Sequence, residues 1–263
     1  MIYGKGLKST HDPRYDEFER LVIDEKDLPP VLPAVLDYSE SGFFPAIDNQ
    51  GGLGTCVAYG SRKLFEFYHA KRKGDRELVS ARAIYSYAKS TYEQGDTQDD
   101  GLNVSDGLNT IATFYVNESD WPSVPNDSEE NFPAYLIPVP TDIRKTDFII
   151  KSFATVNPDV EDMKKALYKK GIMLLGIAFA NEWMNTGSDG VLPIPQSVDG
   201  GHCMSIVGWN DNIVCPDGTK GAFKIANNWT TDWGAAGYCY LPYSYQTLAG
   251  GQFWPTDLFT VVA

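Results

Sequence analysis

The chain has 263 residues, 43% apolar and 13% aromatic, enough to bury a core in one large domain or two packed lobes. Its formal net charge of -13, from 22 basic and 35 acidic side chains, argues against a nucleic-acid binder, because tracking phosphates needs a lysine and arginine footprint. The longest apolar run, GIMLLGIAFA at 171–180, is too short to span a bilayer; MIYGKGLKST at the start has no apolar signal core; four cysteines without a CxxC pair suggest neither a disulfide framework nor zinc.

Residues 1–30 are polar and charged, carry a short helical pattern at Tyr15, Phe18, Leu21 and Val22, and end in Pro29-Pro30; they read as an appended N-terminal segment. In DNQGGLGTCVAYG, residues 48–60, a glycine-rich turn leads into Cys56, which opens a long helix stopped at Gly74. ARAIYSYAKSTYEQG and VSDGLNTIATFYV predict two further helices, making 31–145 a helical lobe. Beyond residue 145 come strands, FIIKSFATV, GIMLLGIAFA, HCMSIVGW, GAFKIANNW and GYCYLPY, with one helix, VEDMKKALYKKG, so that 146–263 reads as a strand-rich lobe. The class is α+β.

A thiol at a helix N-terminus faces unpaired N–H groups that favour its anion, and the expected Cys56 pKa is roughly 3.5 to 7.5. Gln50 has an amide N–H to aim at an oxygen developing negative charge near that sulfur. The alternative is that Cys56 is a small buried hydrophobe and Gln50 a turn residue. Of three histidines, His11 and His69 lie in charged surroundings and read as surface residues. His202 opens the strand GGHCMSIVGWND, with Gly200 and Gly201 leaving room beside its ring; a purely structural histidine is the alternative. In FKIANNWTTDWGAAGY, residues 223–238, a strand delivers Asn227, whose carbonyl suits the imidazole's second N–H, then Trp229 and Trp233, either a water-excluding cover or two core tryptophans.

These motifs resemble the papain-like cysteine peptidases of the C1 group. Gln50, five spacers and Cys56 match the family's glutamine and cysteine; GGHCMSIVGW is similar to its glycine-histidine strand; NNWTTDWGAAGY is similar to its N-S-W-G-x-x-W-G-x-x-G-Y run; Asp37 and Tyr38 stand where the family has an aspartate and aromatic pair. Departures are Leu53 for a cysteine, Val57 for a tryptophan, Asn228 for a serine and Thr230 for a glycine. Bacterial and phage-borne members look most similar. The resemblance implies a two-lobe fold, a helical lobe packed against a barrel-like strand-rich lobe with the cleft between. It also implies peptide hydrolysis by a Cys56 thiolate, with His202 as base and acid, Asn227 orienting it, Gln50 as oxyanion donor and Trp229 supporting the site. Gly101 and Gly201 are the implied substrate-backbone positions, and the partner a peptide or protein, with no nucleic acid, membrane, metal or organic cofactor. DTQDDGLNVSDG lacks the twelfth-position acid of a calcium loop and reads as a solvated acidic loop.

Acyl transfer to an amine uses the same triad, and an idle binding or virion module is the alternative of another class. The lost leader cysteine and missing signal core point to a cytoplasmic, or virion-carried, protein. Residues 1–30 are short for the family's inhibitory propeptide and lack its long helical pattern, so the full chain is expected to be active without cleavage. Eleven acidic and no basic side chains lie between residues 90 and 143, either a solvated face or a wall that attracts cationic peptides.

Overall fold

A computed structural model describes residues 4–8, 13–123, 129–247 and 257–262. Helix α1 (Cys56–Lys73) ends where Gly74 takes the left-handed conformation (φ 83°) and returns its N–H to Ala70. Helix α2 (Ala81–Thr91) is capped by the Ser80 hydroxyl, which accepts from the Ala83 N–H at 3.0 Å. Helix α3 (Val104–Ile111) is shorter than its sequence pattern, because Tyr115 leaves to exchange backbone hydrogen bonds with Lys145 at 2.9 and 2.8 Å. Helix α4 (Val160–Lys170) is capped by the Asp159 carboxylate.

The strands are β1 (Glu19–Arg20), β2 (Val35–Asp37), β3 (Phe153–Thr155), β4 (Met173–Ala178), β5 (Gly201–Val214), β6 (Lys220–Ala226), β7 (Tyr238–Pro242) and β8 (Asp257–Val261). They form one sheet in the order β1-β3-β8-β4-β5-β6-β7, with β2 also pairing β5. The expected barrel-like lobe is therefore an open sheet. Its β7 edge is covered rather than closed: Leu192 and Tyr240 N–H groups bond the Tyr240 and Gly190 carbonyls, so a loop takes the place of another strand.

Two further expectations change. The 1–30 segment is not an appendage: β1 pairs β3, and Tyr15 and Phe18 set their ring edges on Phe259 at 5.2 and 5.1 Å. Its helical pattern yields a single tight turn, Pro13–Glu17, followed by the edge strand, because Tyr15 and Phe18 pack onto the sheet. Of FIIKSFATV only Phe153–Thr155 is strand, since Ile150 bonds back to Ile111 at the end of α3.

The site sits where α1 lies against β5, the 14-residue strand flanked by β4 and β6. Gly60 makes this approach possible: a Cβ there would stand 2.7 Å from Leu174 Cδ1 and 3.1 Å from Cys203 Sγ. Among the described residues no helix is long and apolar enough to cross a membrane.

Candidate active site

Cys56 is the first residue of α1 and is fully buried. Its Sγ accepts the Gly6 N–H at 3.3 Å, and the N–H of Cys203, the residue after His202, also reaches it. The turn ahead is held in place by Asp99, whose two carboxylate oxygens each accept the Gly54 N–H at 3.0 Å and which takes the Tyr85 hydroxyl at 3.2 Å. The buried Gln50 side chain donates from Nε2 to the Leu53 carbonyl at 3.0 Å and to the Gly4 carbonyl at 3.1 Å. Its backbone N–H donates to the Asn228 carbonyl at 2.9 Å, tying the glycine-rich turn to the loop after β6.

His202 sits at the start of β5, opposite Ile177 of β4, and is fully buried. Its Nε2 donates to Asn227 Oδ1 at 2.8 Å, and the Asn228 N–H donates to the same oxygen at 2.8 Å. Two donors on that atom identify it as the oxygen, so the proton is on Nε2 and Nδ1 carries the lone pair. Nδ1 has no hydrogen-bond partner among the described residues. Trp229 stacks on the imidazole, centroids 4.5 Å apart and planes 26° from parallel, and Phe179 sets an edge against both rings. Cys56, Gln50, His202, Asn227 and Trp229, all singled out in the sequence, thus meet at one place. Phe179 was not singled out, and no sequence signal marks it, because the β4–β5 register alone brings it to His202.

Residues 4–8 run through the cleft as an extended strap. Leu7 donates to the Gly201 carbonyl at 3.2 Å, Lys8 to the Leu102 carbonyl at 3.1 Å, Leu102 to the Gly6 carbonyl at 2.9 Å and Gly4 to the Gly51 carbonyl at 3.0 Å. The strap is parallel to Leu102 and antiparallel to Gly201. Gly101 and Gly201, the implied substrate-backbone positions, therefore flank this strand. Gly6 is obligatory: a Cβ on it would land on the Gly54 carbonyl. Ion pairs pin the strap to both walls, Lys5 to Asp199 at 3.2 Å and Lys8 to Glu93, Asp96 and Asp100 at 2.6, 3.2 and 3.0 Å; further along the chain Arg14 pairs with Asp106 at 2.5 Å. Residues 1–30 lack the long helical pattern of the family's propeptide, yet a two-glycine backbone from this segment enters the cleft without any long helix to carry it.

Under this cover the charges are switched off. Burial pushes the Cys56 thiol up to about 11, against the lowering effect of the Gly6, Cys203 and Val57 N–H groups. Burial also pulls the His202 imidazole down to about 4, against the Asn227 hydrogen bond. The depressed thiol expected from the helix N-terminus is thus not present in this covered state, because desolvation outweighs the N–H groups. Part of the acidic run is also spoken for. Glu93, Asp96 and Asp100 hold Lys8 of the strap, Asp106 holds Arg14, Asp96 and Asp100 also take Lys89, and Glu118 takes Arg62, so it is not simply a solvated face; Asp127 lies outside the described residues. His69, expected at the surface, is buried between Phe65 and Phe148, while His11 lies outside the described residues. Among the described residues no cluster of three or more His, Cys, Asp or Glu side chains is arranged to hold a metal ion.

An uncharacterised peptidase C1-like protein of Acanthamoeba polyphaga mimivirus is 26% identical over 218 residues, 78% of this chain and 68% of that protein. Cathepsin L of Sarcophaga peregrina is 24% identical over 214 residues, 79% of this chain and 58% of its own length. Among solved structures, the fold is similar to that of xylellain, a cysteine protease from Xylella fastidiosa (TM-score 0.80, 21% identity, 98% of this chain and 95% of that one). It is also similar to the bromelain protease from Ananas comosus (TM-score 0.68, 17% identity, 88% of this chain and 100% of that one). The model of the papain family cysteine proteases matches residues 32–250, and on that extent the chain belongs to this family.

Proposed function

We propose that this chain hydrolyses peptide bonds through Cys56, and that residues 4–8 hold it in check. The observation that carries the reading is the strap: the cleft binds an extended backbone between Leu102 and Gly201, beside the thiol and with a carbonyl on Gln50 Nε2. A polypeptide substrate needs the same donors and acceptors. The strap itself is not presented for cleavage, because the sulfur meets the Gly6 N–H and not a carbonyl carbon.

With the strap withdrawn, water returns to the thiol and imidazole, and the desolvation that keeps both neutral is relieved. His202 Nδ1 then takes the Cys56 proton, while Nε2 stays bonded to Asn227 and Trp229 shields that bond from water. The thiolate attacks the scissile carbonyl carbon, and the resulting oxyanion takes hydrogen bonds from Gln50 Nε2 and the Cys56 backbone N–H. As the tetrahedral intermediate collapses, the C–N bond breaks and His202 passes its proton to the departing amine. A water molecule, deprotonated by His202, then releases the acyl group as a carboxylic acid and restores the thiol. Nothing observed favours acyl transfer or an idle module.

The test is a peptide-mixture digest with the full chain carrying Gly6→Val, which cannot seat the strap, and with the same chain also carrying Cys56→Ala. New peptide termini in the first digest and none in the second are expected. Equal product patterns from both would sink the proposal.

A further inference from the structure

Lys63 lies on α1 seven residues beyond Cys56, two turns along the same face, and its side chain is fully buried. A buried ammonium is strongly unfavourable unless it is paired, and here it meets two specific partners. Nζ donates to Asp48 Oδ2 at 2.7 Å and to Asn228 Oδ1 at 2.7 Å. Asp48 stands two residues before Gln50, and its carbonyl accepts the Thr230 N–H at 2.9 Å.

Asn228 spends its remaining groups on the site. Nδ2 donates to the carbonyl of Cys203, next to His202, at 3.1 Å. Its backbone N–H reaches Asn227 Oδ1 at 2.8 Å, and its carbonyl takes the Gln50 N–H at 2.9 Å. The ammonium fixes which way round the amide sits, because the flipped amide would set its own N–H groups against Nζ and leave the Cys203 carbonyl facing an oxygen. Asn228 thus joins, through its side-chain amide, the helix that carries the thiol to the strand that carries His202, and, through its backbone carbonyl, the turn that carries Gln50.

We infer that Lys63 is a positioning residue of this peptidase: acting through Asn228 and Asp48, it sets the oxyanion turn and the His202–Asn227 pair in register with Cys56. The inference rests on the peptidase reading above. Lys63 touches no reacting atom, so its removal lowers turnover more than substrate binding.

The experiment uses the full chain carrying Gly6→Val as parent, with Lys63→Met, Asn228→Leu and both together, rates being normalised to titrated active sites. Each single change is expected to lower kcat about 10- to 100-fold, the scale of an ångström-level misplacement, with KM within about twofold. The double variant should be no slower than the slower single, because both changes break one chain of contacts. Unchanged kcat per titrated site, or losses that multiply in the double variant, overturns the inference; a merely structural lysine would lower the melting temperature without this pattern. Should Lys63→Met not fold, Asn228→Leu decides alone, since it leaves the Lys63–Asp48 pair in place, and full kcat there overturns the inference. An inactive parent removes the peptidase reading itself, and Lys63's role with it, which is a different outcome from an active parent with unaffected variants.

Discussion

Replacing Gly6 by valine should open the cleft, and the structure sets the scale of the effect. The seated strap makes five hydrogen bonds to nitrogen or oxygen partners, from Gly4, Leu7 and Lys8 N–H groups and to the Gly4 and Gly6 carbonyls, besides the Gly6 contact to sulfur. At about 1 kcal/mol net for each of these bonds, with about 2 for burying Leu7 and about 1 for the half-buried Lys8–Glu93 pair, the gains total about 8 kcal/mol. Ordering residues 4–8 opposes this at about 1.5 kcal/mol per residue, about 7.5 kcal/mol in all, leaving closure favoured by about 0.5 kcal/mol. That is a closed-to-open ratio of roughly 2, so the full chain retains about a third of its activity and Gly6→Val should raise the initial rate roughly threefold. The assay is hydrolysis of a fluorogenic peptide by matched, active-site-titrated preparations, with the melting temperature as a folding control. Equal rates for the parent and Gly6→Val, both folded, would refute the strap as a block.

Iodoacetamide should label Cys56 slowly in the full chain near neutral pH, its rate climbing toward pH 11, and in Gly6→Val the labelling profile should move to lower pH; identical profiles would mean that cover does not set the thiol. Strap closure should weaken in acid. The His202 pKa of the covered state, about 4, lies below its ordinary 6.5, so burying the neutral ring stabilises closure above pH 6.5, and that contribution is lost as pH falls through 4; the ratio of full-chain to Gly6→Val rates should rise over that window, and a flat ratio speaks against it. Gln50→Ala in the Gly6→Val chain should reduce kcat about a hundredfold or more with little change in melting temperature, a result that an unchanged kcat would exclude.

The separate parts of the site were legible because each is written in local chemistry. A cysteine after glycines at a helix start, a glutamine six residues before it, a histidine opening a strand, and an asparagine followed by tryptophan each have a short-range reason to be where they are. The helices α1, α2 and α4 follow from periodicity and from Gly74 and Gly171 as stops. What stayed hidden depends on contacts between distant segments. Residues 4–8 carry little pattern of their own, since a Gly-x-Gly strand makes its bonds with backbone atoms, and only the fold brings Gly51, Leu102 and Gly201 to it. The two-residue β1 and three-residue β2 are too short for a period of two to register, and their partners lie far along the chain. His69 and Lys63 read as polar in sequence, yet packing between Phe65 and Phe148 buries the one, and Asp48 and Asn228 neutralise and bury the other. The same holds for ionisation: a helix N-terminus lowers a thiol's pKa, but the sign at Cys56 is decided by whether the cleft is covered, and that is set by tertiary structure, where desolvation outweighs the helix N–H groups. Residue type and spacing determined which groups are available for chemistry; only the packing of segments far apart in the chain determined which of them are covered, paired or free to react.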